Sequence, residues 1–105
     1  GTLINQNSYS NAEIFAHAFQ SLGMGPVVGT PTFGAVISTG GVGLLDVSIV
    51  RMPFRAWYVR ETGQNMELGP TVPDVRVDNP PNARALGDDP QLRRMVEEML
   101  ERIEE

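Results

Sequence analysis

The sequence predicts an α/β fold, with a mixed sheet and two helices, on three observations. A short apolar run, Thr2-Leu3-Ile4, leads through a polar turn into a helix-patterned segment at Asn11 to Leu22, and the next apolar pair, Val27-Val28, is bracketed by Gly25-Pro26 and Gly29-Thr30-Pro31. The stretch from Gly43 to Val59 is patterned for strands, and the chain closes on an amphipathic helix over residues 90–104. Between residues 30 and 80 proline and glycine recur too often for a helix of more than three turns.

Thr2 to Asn5 reads as the end of a strand. In the turn that follows, Ser10 and Glu13 have the spacing of a capping box, each placed to satisfy a free backbone N–H of the other. Ile14, Phe15, Ala18, Phe19 and Leu22 then line one helical face, and Gly23 stops the helix at C′. Val27-Val28 has the length and composition of a buried strand, so strand, helix and strand form a βαβ-like unit.

Thr30 to Gly43 is rich in glycine and small residues, which favours a loop whose backbone approaches a ligand or another chain. Gly40-Gly41-Val42-Gly43 lacks the spacing and the following helix of a phosphate-binding loop, so no nucleotide is assigned to it. Gly43 to Arg51 and Pro53 to Val59 are expected as strands, with Phe54, Trp57 and Tyr58 as an aromatic packing cluster. Val75-Arg76-Val77 adds a short strand, and residues 79–89 form a Pro/Asp-rich connector. Asp89 is placed to cap the closing helix, and Pro90 suits its first turn. Leu92, Met95, Val96, Met99, Leu100 and Ile103 recur as a buried stripe, with Arg93–Glu97 and Glu98–Arg102 as outer-face pairs.

A chain of 105 residues allows one domain, with roughly 65% of the unfolded surface buried. Its net charge of −5 and dispersed arginines leave no basic stripe for a phosphate backbone, so nucleic acid is not an expected partner. No apolar run approaches the ~20 residues of a membrane helix, so no membrane partner is expected either. Cysteine is absent and histidine occurs once, which argues against a metal site or cofactor; Asp88-Asp89, Glu97-Glu98 and Glu104-Glu105 read as solvated charges. The chain opens on Gly1 inside a strand-like run, the expectation for a piece of a longer protein.

Two readings meet at Ser10. As a cap it only satisfies its helix, and the chain is then a non-catalytic assembly module. As a nucleophile it stands at the positive end of the helix dipole, where free N–H groups can stabilise a developing oxyanion. A hydrolytic serine needs a base. His17 lies seven residues along the same helix, ~10 Å away at about 1.5 Å per residue, so it does not reach Ser10. Lysine is absent altogether, so a Ser-Lys dyad cannot form within the chain.

Asn7-Ser8-Tyr9-Ser10-Asn11-Ala12-Glu13-Ile14-Phe15, followed by Leu22-Gly23-Met24-Gly25-Pro26-Val27-Val28-Gly29-Thr30-Pro31-Thr32-Phe33-Gly34, resembles the nucleophile region of the C-terminal processing serine peptidases of family S41, in their tricorn-like branch. The resemblance runs on through Asp46 to Pro53, Asn65-Met66-Glu67, Pro73-Asp74 and Gly87 to Leu92, nearly the whole chain. It implies the C-terminal portion of a crotonase-like or ClpP-like catalytic domain and a serine endopeptidase acting on peptides or unfolded chains. Ser10 would be the nucleophile, the Asn11 N–H an oxyanion-hole donor, and Glu67 the carboxylate that orients a histidine contributed from upstream. Ala35 stands where the larger branch carries its lysine. The register around Gly69-Pro70 departs from the usual Gly-Val-x-Pro-Asp, and Asp46-Val47 stands where a tight Asp-Gly turn is usual; because valine resists positive φ, a different turn is expected. An exposed leading strand further implies a homo-oligomer or pairing with a missing N-terminal half.

Overall fold

The computed structural model describes residues 1–104. Glu105, read above with Glu104 as a solvated charge, lies outside the described residues. The elements in chain order are β1 (Thr2–Ile4), α1 (Asn11–Ser21), β2 (Val27–Gly29), β3 (Ser38–Gly43), β4 (Ile49–Arg55), β5 (Val75–Arg76), a 3₁₀ turn at Arg84–Leu86, and α2 (Pro90–Glu104). The expected mixed sheet resolves into two. One is parallel in the order β1-β2-β5; the other is the antiparallel hairpin β3-β4. Among the described residues, no helix lies between residues 30 and 80.

The βαβ reading holds. Thr2, Leu3 and Ile4 pair with Val27, Val28 and Gly29, and β2 is buried at all three positions, as a central strand packed by two helices must be. Gly29 is obligatory there, because at φ 137° a Cβ would stand 1.8 Å from the Ile4 carbonyl oxygen. Gly23 ends α1 with φ 61°, as a C′ glycine does. The carboxylate of Asp74 ties the unit to the segment entering β5, accepting the Val27 N–H at 2.9 Å and the Gln20 side-chain amide at 2.6 Å.

The face that α1 buries is not the one its apolar residues mark. Glu13 and Ala16 are buried, with Ala16 against Ile4 and Val27 and with Phe19 packed at the margin. Phe15 and Leu22 stay exposed. The sheet demands a small residue at closest approach, and the Glu13 carboxylate is claimed by a second loop, which together set the rotation of the helix.

Strand β3 begins at Ser38, inside the stretch expected to be a loop, and pairs with β4 across a turn at residues 44–48. Val47 occupies that turn with φ 62°, so the positive-φ turn is kept despite its β-branched side chain. Hydrogen bonds hold it there: Leu44 and Ser48 pair through their backbones at 2.8 Å, and Asp46 Oδ1 accepts both the N–H and the hydroxyl of Ser48. The expected aromatic cluster does not form. Phe54 and Tyr58 are exposed, while the Trp57 indole N–H donates to Ser38 Oγ at the root of the hairpin (2.9 Å). The ring contacts of the described residues are instead Tyr9 with Phe33 and Phe15 with Phe19.

Helix α2 is capped as expected, with Asp89 Oδ1 accepting the Leu92 N–H at 3.0 Å. Of its stripe only Met95 is buried; Leu92, Val96, Met99, Leu100 and Ile103 remain exposed, so most of this face has no cover among the described residues. Gln91 is buried because it bridges to the sheet, its side-chain amide donating to the Val77 carbonyl at 2.8 Å. The outer-face ion pairs also differ from the expected set: Arg93 pairs back with Asp88, and Arg94 takes both Glu97 and Glu98. Arg94–Glu98 keeps the i,i+4 spacing of the expected pairs on a neighbouring row of the helix and Arg94–Glu97 is an i,i+3 pair, so Asp88, Glu97 and Glu98 are paired and not merely solvated.

Candidate functional site

The polar turn from β1 to α1 is knitted by its own short side chains. Asn5 accepts the Ser8 N–H through its carbonyl (2.8 Å) and the Asn7 N–H through its side chain (2.9 Å), and Ser8 Oγ accepts the Asn5 N–H (3.1 Å). The Ser8 carbonyl then accepts the Phe33 N–H at 3.0 Å, docking the loop after β2 against the turn. The chain enters α1 through Ser10.

Ser10 has φ 55° and ψ −114°. A capping serine lies in the β region, whereas this conformation falls outside the regions allowed to residues with a Cβ and costs on the order of 1–3 kcal/mol. The Ser10 side chain lies toward the Glu13 N–H as in a capping box, but that N–H is donated to the Ser10 carbonyl at 2.9 Å, and the hydroxyl makes no capping hydrogen bond. The Glu13 half of the box is made, with Oε1 accepting the Ser10 N–H at 3.2 Å. Among the described residues the Asn11 N–H, first in the helix, has no hydrogen-bond partner.

The Glu13 carboxylate is the most connected group among the described residues. Besides the Ser10 N–H it accepts the Thr32 hydroxyl (2.6 Å), the Gly34 N–H (2.6 Å) and the Ala35 N–H (2.9 Å), and the residue is 1% exposed. Read locally as half of a capping box, Glu13 gives no sign of this wider role, because its other donors lie 19 to 22 residues away.

Glu67 lies beyond the same strip of backbone. Its Oε2 accepts the N–H groups of Val36 and Ile37, each at 2.7 Å, so four consecutive N–H groups from Gly34 to Ile37 are shared between two carboxylates. Glu67 is half-buried, its own N–H donates to Asn65 Oδ1 (3.0 Å), and Leu68 beside it has φ 61°. Ser10 and Glu67 are thus linked through Glu13 and the backbone of residues 34–37, while Asn11 adjoins Ser10 with its N–H outside that network. His17 is not part of it: its Nε2 faces Ser21 Oγ at 3.3 Å, one turn further along α1.

Residues 2–77 match the model of peptidase family S41. The chain is 29% identical over 96% of its length to the tricorn protease of Thermoplasma acidophilum and 35% identical over 96% to tricorn protease homolog 1 of Streptomyces coelicolor, and it spans about a tenth of either relative (10% in each). Its fold superposes on the crystal structure of the tricorn protease with a TM-score of 0.89 at 28% identity, covering 98% of this chain and 10% of that one. A strained serine at a strand-to-helix turn, a parallel unit around it and a family match over both together lead to one assignment: the chain belongs to peptidase family S41, in its tricorn-like branch.

Proposed function

We propose that residues 1–105 form the C-terminal part of a crotonase-like catalytic domain of a serine endopeptidase, closed by the connector 79–89 and α2. The substrate is a peptide or an unfolded chain. Ser10 attacks the scissile carbonyl, the free Asn11 N–H holds the oxyanion, and Glu67 orients a histidine supplied from outside these residues. One observation carries this reading: the Ser10 backbone is held at φ 55° and ψ −114°. That is the kind of sharp strand-to-helix turn that presents a nucleophile's hydroxyl, where a serine acting only as a cap would lie in the β region. The free Asn11 N–H, at the N-terminus of α1, supports the oxyanion role.

The missing base implies a partner. Among the described residues one edge of β1 is unpaired in the β1-β2-β5 sheet, and that edge is where the rest of the domain or a second copy would add a strand. In the complete natural chain, Ser10→Ala lowers kcat by about 10⁴-fold or more, and a fluorophosphonate probe labels the parent at Ser10. The isolated residues 1–105 are not labelled, because an unactivated hydroxyl is a poor nucleophile. Retained turnover in Ser10→Ala would sink the peptidase reading in favour of an assembly module; labelling of the isolated monomer would place the base within these residues.

A further inference from the structure

Resting on that reading, we infer that Glu13 is the positioning residue of the site: it clamps both peptide units flanking the Ser10 Cα and ties them to the backbone strip that carries Glu67. Strained backbone persists only where its surroundings over-determine it, and each flanking unit is held separately here. The N–H on one side of Ser10 is bound by the Glu13 carboxylate (3.2 Å), and the carbonyl on the other side is bound by the Glu13 N–H (2.9 Å). Glu13 thus helps to hold both φ and ψ of the candidate nucleophile, its carboxylate alone on the N–H side and its N–H together with that of Ile14 (3.2 Å) on the carbonyl side. The direction of the Asn11 N–H follows, because it belongs to the same peptide unit as the Ser10 carbonyl.

A cap alone would not bury its carboxylate. Burying a charge is costly unless its acceptor sites are filled, and Glu13 meets that condition with four donors, three of them on residues 32–35. None of its donors is charged, so they act as a rigid cradle and not as an ion pair. The next two N–H groups of that strip, Val36 and Ile37, bind Glu67. A shift of Glu13 thus reaches Ser10 directly and Glu67 through the shared backbone.

Glu13→Gln in the complete natural chain tests this, because the side chain keeps its size but puts an NH₂ where N–H groups need an acceptor. With a fluorogenic peptide, kcat falls about 10- to 100-fold, the factor a charge-assisted hydrogen bond is worth, while KM holds, and fluorophosphonate labelling of Ser10 slows by the same factor. As a stability control, Asp74→Ala, which unties α1 and β2 at the far end of the unit, lowers the melting temperature and leaves the kcat of the folded enzyme unchanged. If Glu13→Gln does not fold, Glu13→Asp, which keeps the charge and shortens the reach, carries the same expectations. Normal kcat in the Glu13 variant alongside an inactive Ser10→Ala would overturn this inference alone, as would a kcat loss that only tracks the fraction folded in both the Glu13 and Asp74 variants. An active Ser10→Ala would remove the peptidase reading beneath it.

Discussion

The parallel unit and the β3-β4 hairpin solve the same problem by different physics. In β1-α1-β2 every position of the central strand is buried, Ala16 meets Ile4 and Val27, and a carboxylate is buried with its hydrogen bonds filled. In the hairpin every residue of β4 is exposed, including Ile49, Val50, Met52 and Phe54, and β3 is covered only at its Ser38-Thr39 root. The hairpin is held by its backbone ladder, by the Trp57–Ser38 bond and by Arg51, which donates to Thr39 Oγ1 (2.6 Å) and Tyr9 Oη (3.3 Å). Two-stranded ribbons without a packed face are marginal alone, so the candidate nucleophile belongs to the part of the chain that carries its own core.

That contrast is broken most sharply at Gly29. Gly29→Ala brings a Cβ to 1.8 Å from the Ile4 carbonyl oxygen in a fully buried strand, where the backbone on either side cannot yield without unpairing β1. The expected loss is about 3 kcal/mol or more in urea unfolding, at the upper end of overpacking penalties. A loss below about 1 kcal/mol, ordinary for point substitutions, would show that β1 and β2 are not registered as described.

The two regions are also unequally legible in the sequence. The βαβ unit can be read because Gly25-Pro26 and Gly29-Thr30-Pro31 punctuate it, and α2 because its cap and its helical period agree. The start of β3 cannot, since Ser38-Thr39-Gly40-Gly41 has the composition of a loop and pairs through backbone, which leaves no side-chain signature. The buried face of α1 escapes sequence reading for another reason: its apolar residues mark surfaces uncovered among the described residues, whereas its buried face is set by a glutamate whose partners are remote. Ser10 can be nominated from spacing and family resemblance, but its positive φ is a tertiary product of the Glu13 clamp.

A smaller effect sharpens the contrast at the hairpin tip. Val47 holds its φ of 62° at a cost in backbone strain. Val47→Gly therefore relieves on the order of 1–3 kcal/mol and gives back roughly 0.5–1 kcal/mol in glycine's unfolded-state entropy. The net gain is about 1 kcal/mol, and because the hairpin lacks a core it should appear locally, as slower amide exchange at Val42 and Val50 with the unfolding of the parallel unit unchanged. Faster exchange would mean that the valine side chain makes a contact worth more than the strain.

The smallest effect distinguishes two exposed aspartates, one capping the helix that packs on the parallel unit and one at the hairpin tip. Asp46 is held below the ordinary carboxylate range chiefly by the Ser48 hydroxyl and N–H, and Asp89 chiefly by the Leu92 N–H and then the Asn79 side chain. In both cases the folded pKa is depressed, so the stabilisation is present above the unfolded aspartate value and is lost as pH falls through the lower folded one. What differs is what each carboxylate holds. Asp89 caps α2 and, through Asn79, reaches the Gln91 N–H at the start of the helix that packs on β1 and β2, so its protonation is felt by the packed unit. Asp46 holds a turn with no core behind it, so its protonation is felt as fraying alone. Helix content and melting temperature followed from neutral to acid pH should therefore fall less steeply in Asp89→Asn than in the parent within the acid window, while Asp46→Asn should follow the parent in melting temperature and differ only in exchange at the hairpin tip. If the Asp89→Asn and parent curves run parallel throughout that window, the charge of Asp89 is not linked to folding, and α2 is docked by its other contacts, those of Met95, Met99 and Gln91.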